Sequence, residues 1–572
     1  MGGWVVESTD EGGIARKLWK KFKDETVFAL YTPFVVGLGS STLDSRTFLR
    51  CVSQDVYFLQ AFSKAYEFAE EYADDDEDKE AIGMLRKRVL RRLGDQHNLV
   101  RDWGFELPKD STCVTATVKY TDFLMATAVG KVDGEKFPGK IVTPFEKTKL
   151  AAYTLSAIAP CMRLYHFVSR EIKAILDPQE KTNPYEKWID SLSSDKFEVA
   201  ALTIEDLLDK LCISLTSGEL EIVEKLYHQS LKLILEFISS HPYVHSSSIV
   251  PIVSQLQEPA ESNVRMFCDF DMTCSAIDSS ALLAEMAIFA ARKASLNECD
   301  TQPSQPITPD LAATWGSLSS KYIEEYGQCI ESILPTEAVA NFDYDRLCKA
   351  LQNLSDFEKT ANSMVIDSGV LKGLSENDIK RAGERLIFQR GCKNFFQEIT
   401  RSENLLMGVH VLSYCWSGDL IRSAFSSGKP DVVSVHSNEL VYEESITSGE
   451  MIQKMESPMD KLEAFNGILD NHGNESKPLT VYIGGSVSDL LCLLNADIGI
   501  VIGMSDMLRT LGEGFGVTFA PLFPGLVKKQ RQLSECGCCN WNRMSGILFT
   551  VSSWAEIHAA LLGKRTIPPS PI

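Results

Sequence analysis

Apolar residues recur every three or four positions from about Gly13 to Pro242. Phe48, Val52, Leu59, Phe62, Tyr66 and Ala69 make one such stripe, the spacing that keeps side chains on one face of a helix. Similar stripes run through Leu150 to Ile175, Ile204 to Leu215 and Leu220 to Ile238, so this half is expected to be an all-α bundle. Past Asn263 the grammar changes. Short apolar runs at Val264–Cys268, Val409–Leu412, Leu479–Ile483, Ile498–Ile502 and Val517–Ala520 alternate with helical segments. That alternation predicts a parallel, doubly wound sheet. The helical pattern between Thr273 and Val409 is too long for a loop and reads as an inserted, mostly helical cap. Ser246–Ser248, Pro251 and Gln255–Asn263 read as a polar linker. The expected organisation is a helical domain at 13–243, a linker at 244–263 and an α/β domain at 264–572 with its cap at 274–408.

With 572 residues the chain is too long for one core. A hydrophobic content of 44% and a charged content of 24% are those of a globular protein. The net charge of −21 supplies no phosphate-neutralising basic face, which argues against nucleic-acid binding. No run of about 18 apolar residues predicts a membrane helix, and the first residues, Met1 to Glu11, lack a signal-peptide core. Fifteen cysteines without a regular framework point to reduced thiols and a cytoplasmic home for the chain as written. Asp74 to Asp78 is an acidic run expected to be a solvated helix end or loop.

The sharpest chemical signal is the segment from Val264 to Thr273, an apolar strand ending Asp269-Phe270-Asp271-Met272-Thr273. One carboxylate there can attack, and a second, two residues on, can handle protons. An aspartate that takes up a phosphoryl group as an acyl phosphate splits one hard hydrolysis into two easier steps. Three later pieces follow in order: Leu412-Ser413 at a strand end, Ser457-Pro458-Met459-Asp460-Lys461 at a helix start, and Gly484-Gly485-Ser486-Val487-Ser488-Asp489 after another strand. This resembles the haloacid dehalogenase superfamily of phosphatases over roughly Val264 to Ala559. The resemblance implies Asp269 as nucleophile and metal ligand, Asp271 as acid/base with a part in the metal site, and Asp489 as metal support. Ser413 and Lys461 would hold phosphate, and the implied cofactor is Mg²⁺. One departure stands out: Gly485 occupies the place of the fourth motif's first aspartate, and glycine brings no ligand.

In the helical half, Asp55 sits on the apolar stripe, where a lone acid costs several kcal/mol unless it is paired or serves a ligand. Cys161 and Tyr165 lie one turn apart, hence on one face. Glu236 follows Leu233 by three residues and is read as turned inward. Ser53 to Leu59, Ala159-Pro160-Cys161 with Tyr165, and Asn183 to Ile189 resemble the TenA family, all-helical aminopyrimidine aminohydrolases also called thiaminase II. The match covers about Lys17 to Pro242. It implies Cys161 as nucleophile on the pyrimidine ring, Glu236 managing the ring-nitrogen proton, and Asp55 orienting the ring amino group and the thiol. Tyr120 and Tyr165 would line the ring pocket, and TenA relatives imply a homo-oligomer. Phe58 and Leu192 stand where many relatives have tyrosine.

The order of the two modules resembles the bifunctional thiamine-salvage family of plants, and the resemblance leaves open a longer mitochondrial precursor form. The implied activities are hydrolysis of thiamine monophosphate by the C-terminal domain and of aminopyrimidine breakdown products by the N-terminal one. Gly485 leaves open an alternative, an active helical enzyme joined to an inactive, ligand-binding phosphatase-like domain. A second rival makes the helical half a scaffold for a general phosphatase. Cys536-Gly537-Cys538-Cys539 has no second ligand pair nearby and reads as a loop, not a zinc site. Gly512, Gly514 and Gly516 precede a strand where a phosphate-binding glycine loop precedes a helix, so they read as a turn.

Overall fold

The computed structural model describes residues 12–106, 112–132, 143–176, 183–241, 248–255, 264–298, 310–336, 341–401, 407–426, 433–470, 478–537, 541 and 543–563. The expected linker lies largely outside these residues, as do the first eleven and Cys538 and Cys539. Two compact units emerge. The first draws its described residues from Met1–Gln255, Leu526–Cys539 and Ala559–Lys564, the second from Leu256–Gly525, Asn540–His558 and Arg565–Ile572.

The first unit is built from helices, the longest being Ser45–Tyr72, Pro144–Ile175 and Ser217–Ser239. Their starts are fixed locally. Asp44 accepts the Thr47 N–H at 2.8 Å, and Thr143/Glu146 and Thr216/Glu219 form capping boxes, each satisfying otherwise orphaned N–H groups. The stripe from Phe48 to Ala69 is buried. The acidic run opens the helix Asp76–Gly94, with Asp75 as its cap. Asp78 is not solvated: it is 5% exposed and paired with Lys210 at 2.8 Å. Pro160 lies inside the long helix Pro144–Ile175, one residue before Cys161. Proline removes one ladder hydrogen bond and crowds the preceding turn. There the Ala157 carbonyl accepts the Tyr120 and Ser230 hydroxyls, at 3.0 and 2.7 Å.

The second unit carries nine described strands: β1 (Val264–Cys268), β2 (Met407–Leu412), β3 (Val433–His436), β4 (Glu439–Glu443), β5 (Ile446–Ile452), β6 (Leu479–Gly484), β7 (Ile498–Ile502), β8 (Thr518–Pro521) and β9 (Ile547–Val551). Seven form one parallel sheet in the order β3-β2-β1-β6-β7-β9-β8, and β4 and β5 pair as an antiparallel hairpin. Every residue of β7 is buried, as a central parallel strand with both faces covered must be. Of the strands, β3, β9 and the hairpin were not anticipated. The stretch between β1 and β2 holds the helices Ser279–Glu298, Leu311–Ile333, Tyr344–Asp367, Glu376–Glu384 and Cys392–Arg401. Gly516, at φ +80°, turns the chain from the helix Asp506–Gly514 into β8.

The strand order reverses between β1 and β6. In such sheets ligands sit beyond the carboxyl ends of the strands at that point.

Candidate functional site

Asp269 leaves the end of β1, and its N–H reaches across to the Ile483 carbonyl of β6 at 2.9 Å. Lys461 comes from the first turn of the helix Pro458–Asp470, whose preceding Ser457 caps the Asp460 N–H at 3.2 Å. With 1% of its side chain exposed, the Lys461 ammonium donates to Asp269 Oδ1 at 2.8 Å, Asp489 Oδ1 at 2.9 Å and Ser488 Oγ at 3.1 Å. Burial pulls this lysine's pKa down, but the Asp269 and Asp489 carboxylates outweigh it and hold it above its ordinary value. Burial, then the Asp489 charge, raise Asp269 to about 6 against the pull of Lys461.

Asp271 points to another partner. Its two oxygens accept the Ser279 N–H at 2.8 Å and hydroxyl at 2.9 Å. Burial, with the charges of Asp269 and Asp278, raises it to about 7. Ser413 is buried at the end of β2; its Oγ accepts the Cys415 N–H at 3.0 Å. Thus β1, β2, β6 and one helix start bring Asp269, Asp271, Ser413, Lys461 and Asp489 to one edge of the sheet.

Asp489 is fully engaged. Oδ1 accepts Lys461 and the Tyr482 hydroxyl, both at 2.9 Å. Oδ2 accepts the N–H groups of Gly485 and Ser486 at 3.1 and 3.0 Å and the Ser486 hydroxyl at 2.7 Å. Five donors fill the roughly four lone-pair sites of a carboxylate. Among the described residues no group of three or more acidic, His or Cys side chains is arranged to hold a metal ion, so Asp269, Asp271 and Asp489 are not assembled as a ligand cluster. Mg²⁺ keeps several waters and is commonly held by one or two carboxylates plus substrate phosphate. The side chains present fit that thin arrangement through Asp269, whose Oδ2 makes a long 3.4 Å contact with the Thr273 hydroxyl.

Gly485 is constrained by its surroundings. A Cβ there would lie 2.2 Å from the Ile502 carbonyl oxygen and 3.1 Å from that of Gly503. The Gly485 carbonyl also accepts the Ser505 N–H at 3.1 Å. The close approach of the ends of β6 and β7 leaves no room for a side chain.

In the helical unit a cavity of about 90 Å³ is lined by Asp55, Phe58, Arg92, Cys161, Tyr165 and Leu192, among others. A cavity of roughly 150 Å³ takes up benzene, so a pyrimidine requires some lining side chains to give way. Asp55 stands 3.9 Å from Arg92; burial raises it to about 6 although Arg92 and Gln96 oppose this. Burial pushes the Cys161 thiol up, the Tyr120 hydroxyl lowers it and the Asp55 charge raises it again, leaving it well above its ordinary value.

Cys161, Asp55 and Tyr165 therefore share one cavity. Tyr120 does not line it: its ring is fully buried, packed against Phe58 with centroids 5.2 Å apart. Glu236 is not brought there either. It pairs with Lys119 at 2.6 Å with 34% of its side chain exposed, because Ser230, Ile234 and Phe237 form the buried stripe of its helix and Glu236 falls beside it. Sequence reasoning missed Arg92 on the cavity wall, and around Asp489 it missed Tyr482, Ser486 and Ser488. Only Tyr482 left a trace, as a hydroxyl-bearing side chain near the end of a buried strand.

No family model matches the chain. The "Bifunctional TH2 protein, mitochondrial" of Arabidopsis thaliana is 51% identical over 562 residues, 98% of this chain and 90% of that protein. A solved TenA homologue from P. horikoshii OT3 is 19% identical, covering 40% of this chain and 97% of its own, with a TM-score of 0.33. A phospho-aspartyl intermediate analogue of phosphoserine phosphatase is 17% identical, covering 43% of this chain and 88% of its own, with a TM-score of 0.25.

Proposed function

Because the chain belongs to the family of the bifunctional TH2 protein, we propose that it is a two-site hydrolase of thiamine salvage. One site releases phosphate from thiamine monophosphate. The other hydrolyses aminopyrimidine breakdown products of thiamine to hydroxymethylpyrimidine. The observation that carries the phosphatase reading is the buried Lys461 ammonium bridging Asp269 and Asp489 at the strand-order reversal.

Asp269 would attack phosphorus, forming an acyl phosphate and expelling the alcohol. Asp271 would give a proton to the departing oxygen and then take one from the attacking water. A carboxyl raised to about 7 suits both tasks near neutral pH. Lys461 and Ser413 would hold phosphate oxygens, and Asp489 would keep Lys461 in place. When bound, Mg²⁺ held by Asp269 would supply charge neutralisation for the transferring group. In the helical unit Cys161 would add to the pyrimidine ring as Asp55 accepts the thiol proton. The exocyclic methylene would lose ammonia, or the thiazole, and take up water as the thiol departs. Phe58 and Tyr165 would flank the ring; Glu236, paired with Lys119, is given no part. The free thiols suit a reducing compartment, the cytosol or, for a longer form, the mitochondrial matrix.

A second reading has one observation behind it. With Gly485 lacking a side chain and Asp489 saturated, the α/β unit would bind a phosphate ester without turning it over.

The deciding experiment is Mg²⁺-dependent phosphate release from thiamine monophosphate against sugar phosphates and nucleotides, with Asp269→Asn alongside. Release from thiamine monophosphate that is lost in the variant is expected. Binding without release in wild type would select the second reading. For the helical unit, Cys161→Ser should abolish aminopyrimidine hydrolysis, and retained activity would refute the covalent route.

A further inference from the structure

Next to the Asp269 site, a cavity of about 410 Å³ lies among the helices that follow β1 and the loop after β2. Small-molecule pockets run from roughly 300 to 1,000 Å³, so it is large enough for a small molecule. Tyr414, which follows Ser413, joins it to the phosphate end: its ring lines the cavity and lies 4.6 Å from the Lys461 ammonium.

The walls are aromatic. Trp315 and Trp416 meet edge to face at 5.9 Å, and Tyr322 and Phe357 stack at 5.7 Å. The Trp416 indole N–H is pinned to Asn362 Oδ1 at 3.0 Å, so that ring is preorganised. The Tyr414 hydroxyl is buried and has no hydrogen-bond partner among the described residues.

The charged residues on the lining are all acidic: Asp278, Glu325 and Glu358. Glu325 is already paired with Lys321 at 3.7 Å. Glu358 instead takes the Tyr322 hydroxyl on both oxygens, at 3.0 and 3.2 Å, and burial raises its pKa to about 7. Half-buried among ring faces, this carboxylate is poorly placed for an anion. It is well placed for a cation, which both the ring quadrupoles and the carboxylate attract.

We propose that this cavity recognises a flat organic cation carried by the phosphate ester, with Glu358 as counter-ion and the rings of Trp315, Tyr322, Phe357, Tyr414 and Trp416 as walls. The inference rests on the reading of Asp269 as the phosphate-handling centre. It adds what selects the substrate: a molecule negative at the end near Lys461 and positive at the end near Glu358. Esters of neutral or anionic alcohols gain nothing from the second end.

The test compares full-length wild type with Glu358→Gln, which keeps the shape and can still accept from Tyr322. The first readout is the ratio of kcat/KM for thiamine monophosphate, whose thiazolium ring is permanently cationic, to that for 4-nitrophenyl phosphate. The ratio is expected to fall at least tenfold; an unchanged ratio would overturn the proposal. The second readout needs no chemistry: quenching of tryptophan fluorescence by thiamine, where the difference between the two proteins isolates this cavity. A component of binding weakened at least tenfold by Glu358→Gln is expected. Identical titrations would overturn the proposal, even if the wild type hydrolysed no ester and the phosphatase reading had failed separately.

Discussion

A lysine buried between two carboxylates stays charged because removing either partner would strand the other charges. Lys461→Met leaves Asp269 and Asp489 facing each other without a cation. Breaking a buried pair in this way costs about 3–5 kcal/mol. Denaturant unfolding of the variant should show that loss, with phosphate release abolished because Asp269 would then favour its protonated form. Asp55 gives a pH dependence in the other unit. Its folded pKa is raised to about 6, so it is neutral below that value and a base above it. If it accepts the Cys161 proton, kcat/KM for aminopyrimidine hydrolysis should fall about tenfold per unit as pH drops below about 6. Asp55→Asn should remove that acid limb together with most of the activity.

At the scale of elements, the sheet decides what Gly485 can become. Replacing it with aspartate looks like the restoration of a missing ligand, but the Cβ would sit 2.2 Å from the Ile502 carbonyl oxygen. The ends of β6 and β7 would have to part, at a cost of about 1–3 kcal/mol or more for overpacking. Gly485→Asp is therefore expected to lower the unfolding temperature and to give no faster phosphate release. A stable and faster variant would show that the strand ends move freely. The same elements explain what the sequence disclosed. Asp269 and Asp271 were legible because a strand end and a spacing of two are local facts. Lys461 was legible as a cation at a helix start. The role of Tyr482 and Ser488 was not, because both meet Asp489 and Lys461 only after strand order is set. Glu236 was misjudged since three-residue spacing from Leu233 fixes a neighbourhood on the helix, not which edge of the stripe is buried. The strand β3 alternates valine with serine and histidine and has no fully buried position, so it offers no apolar run to stand out.

Across the whole molecule, helical periodicity in one half and alternating strands and helices in the other announced an all-α part and a doubly wound part. What stayed hidden was composed over distance. The aromatic cavity joins Trp315 to Trp416, and no local pattern links them. Each proposed reaction draws its groups from one unit, Cys161 and Asp55 from the first, Asp269, Asp271 and Lys461 from the second. Cys161→Ser should therefore lower aminopyrimidine hydrolysis by about three orders of magnitude while phosphate release stays within about twofold. Asp269→Asn should do the reverse. Loss of both activities in either single variant, with the protein still folded by circular dichroism, would contradict independent sites.

In the proposed reaction the Asp269 carboxylate itself takes up the phosphoryl group. Rapid acid quench during turnover of thiamine monophosphate, followed by borohydride reduction and peptide mass spectrometry, tests it most directly. Homoserine at position 269, with unmodified aspartate at 271 and 489, is expected. Unmodified Asp269 in an enzyme that is releasing phosphate, or reduction at another carboxylate, would contradict it.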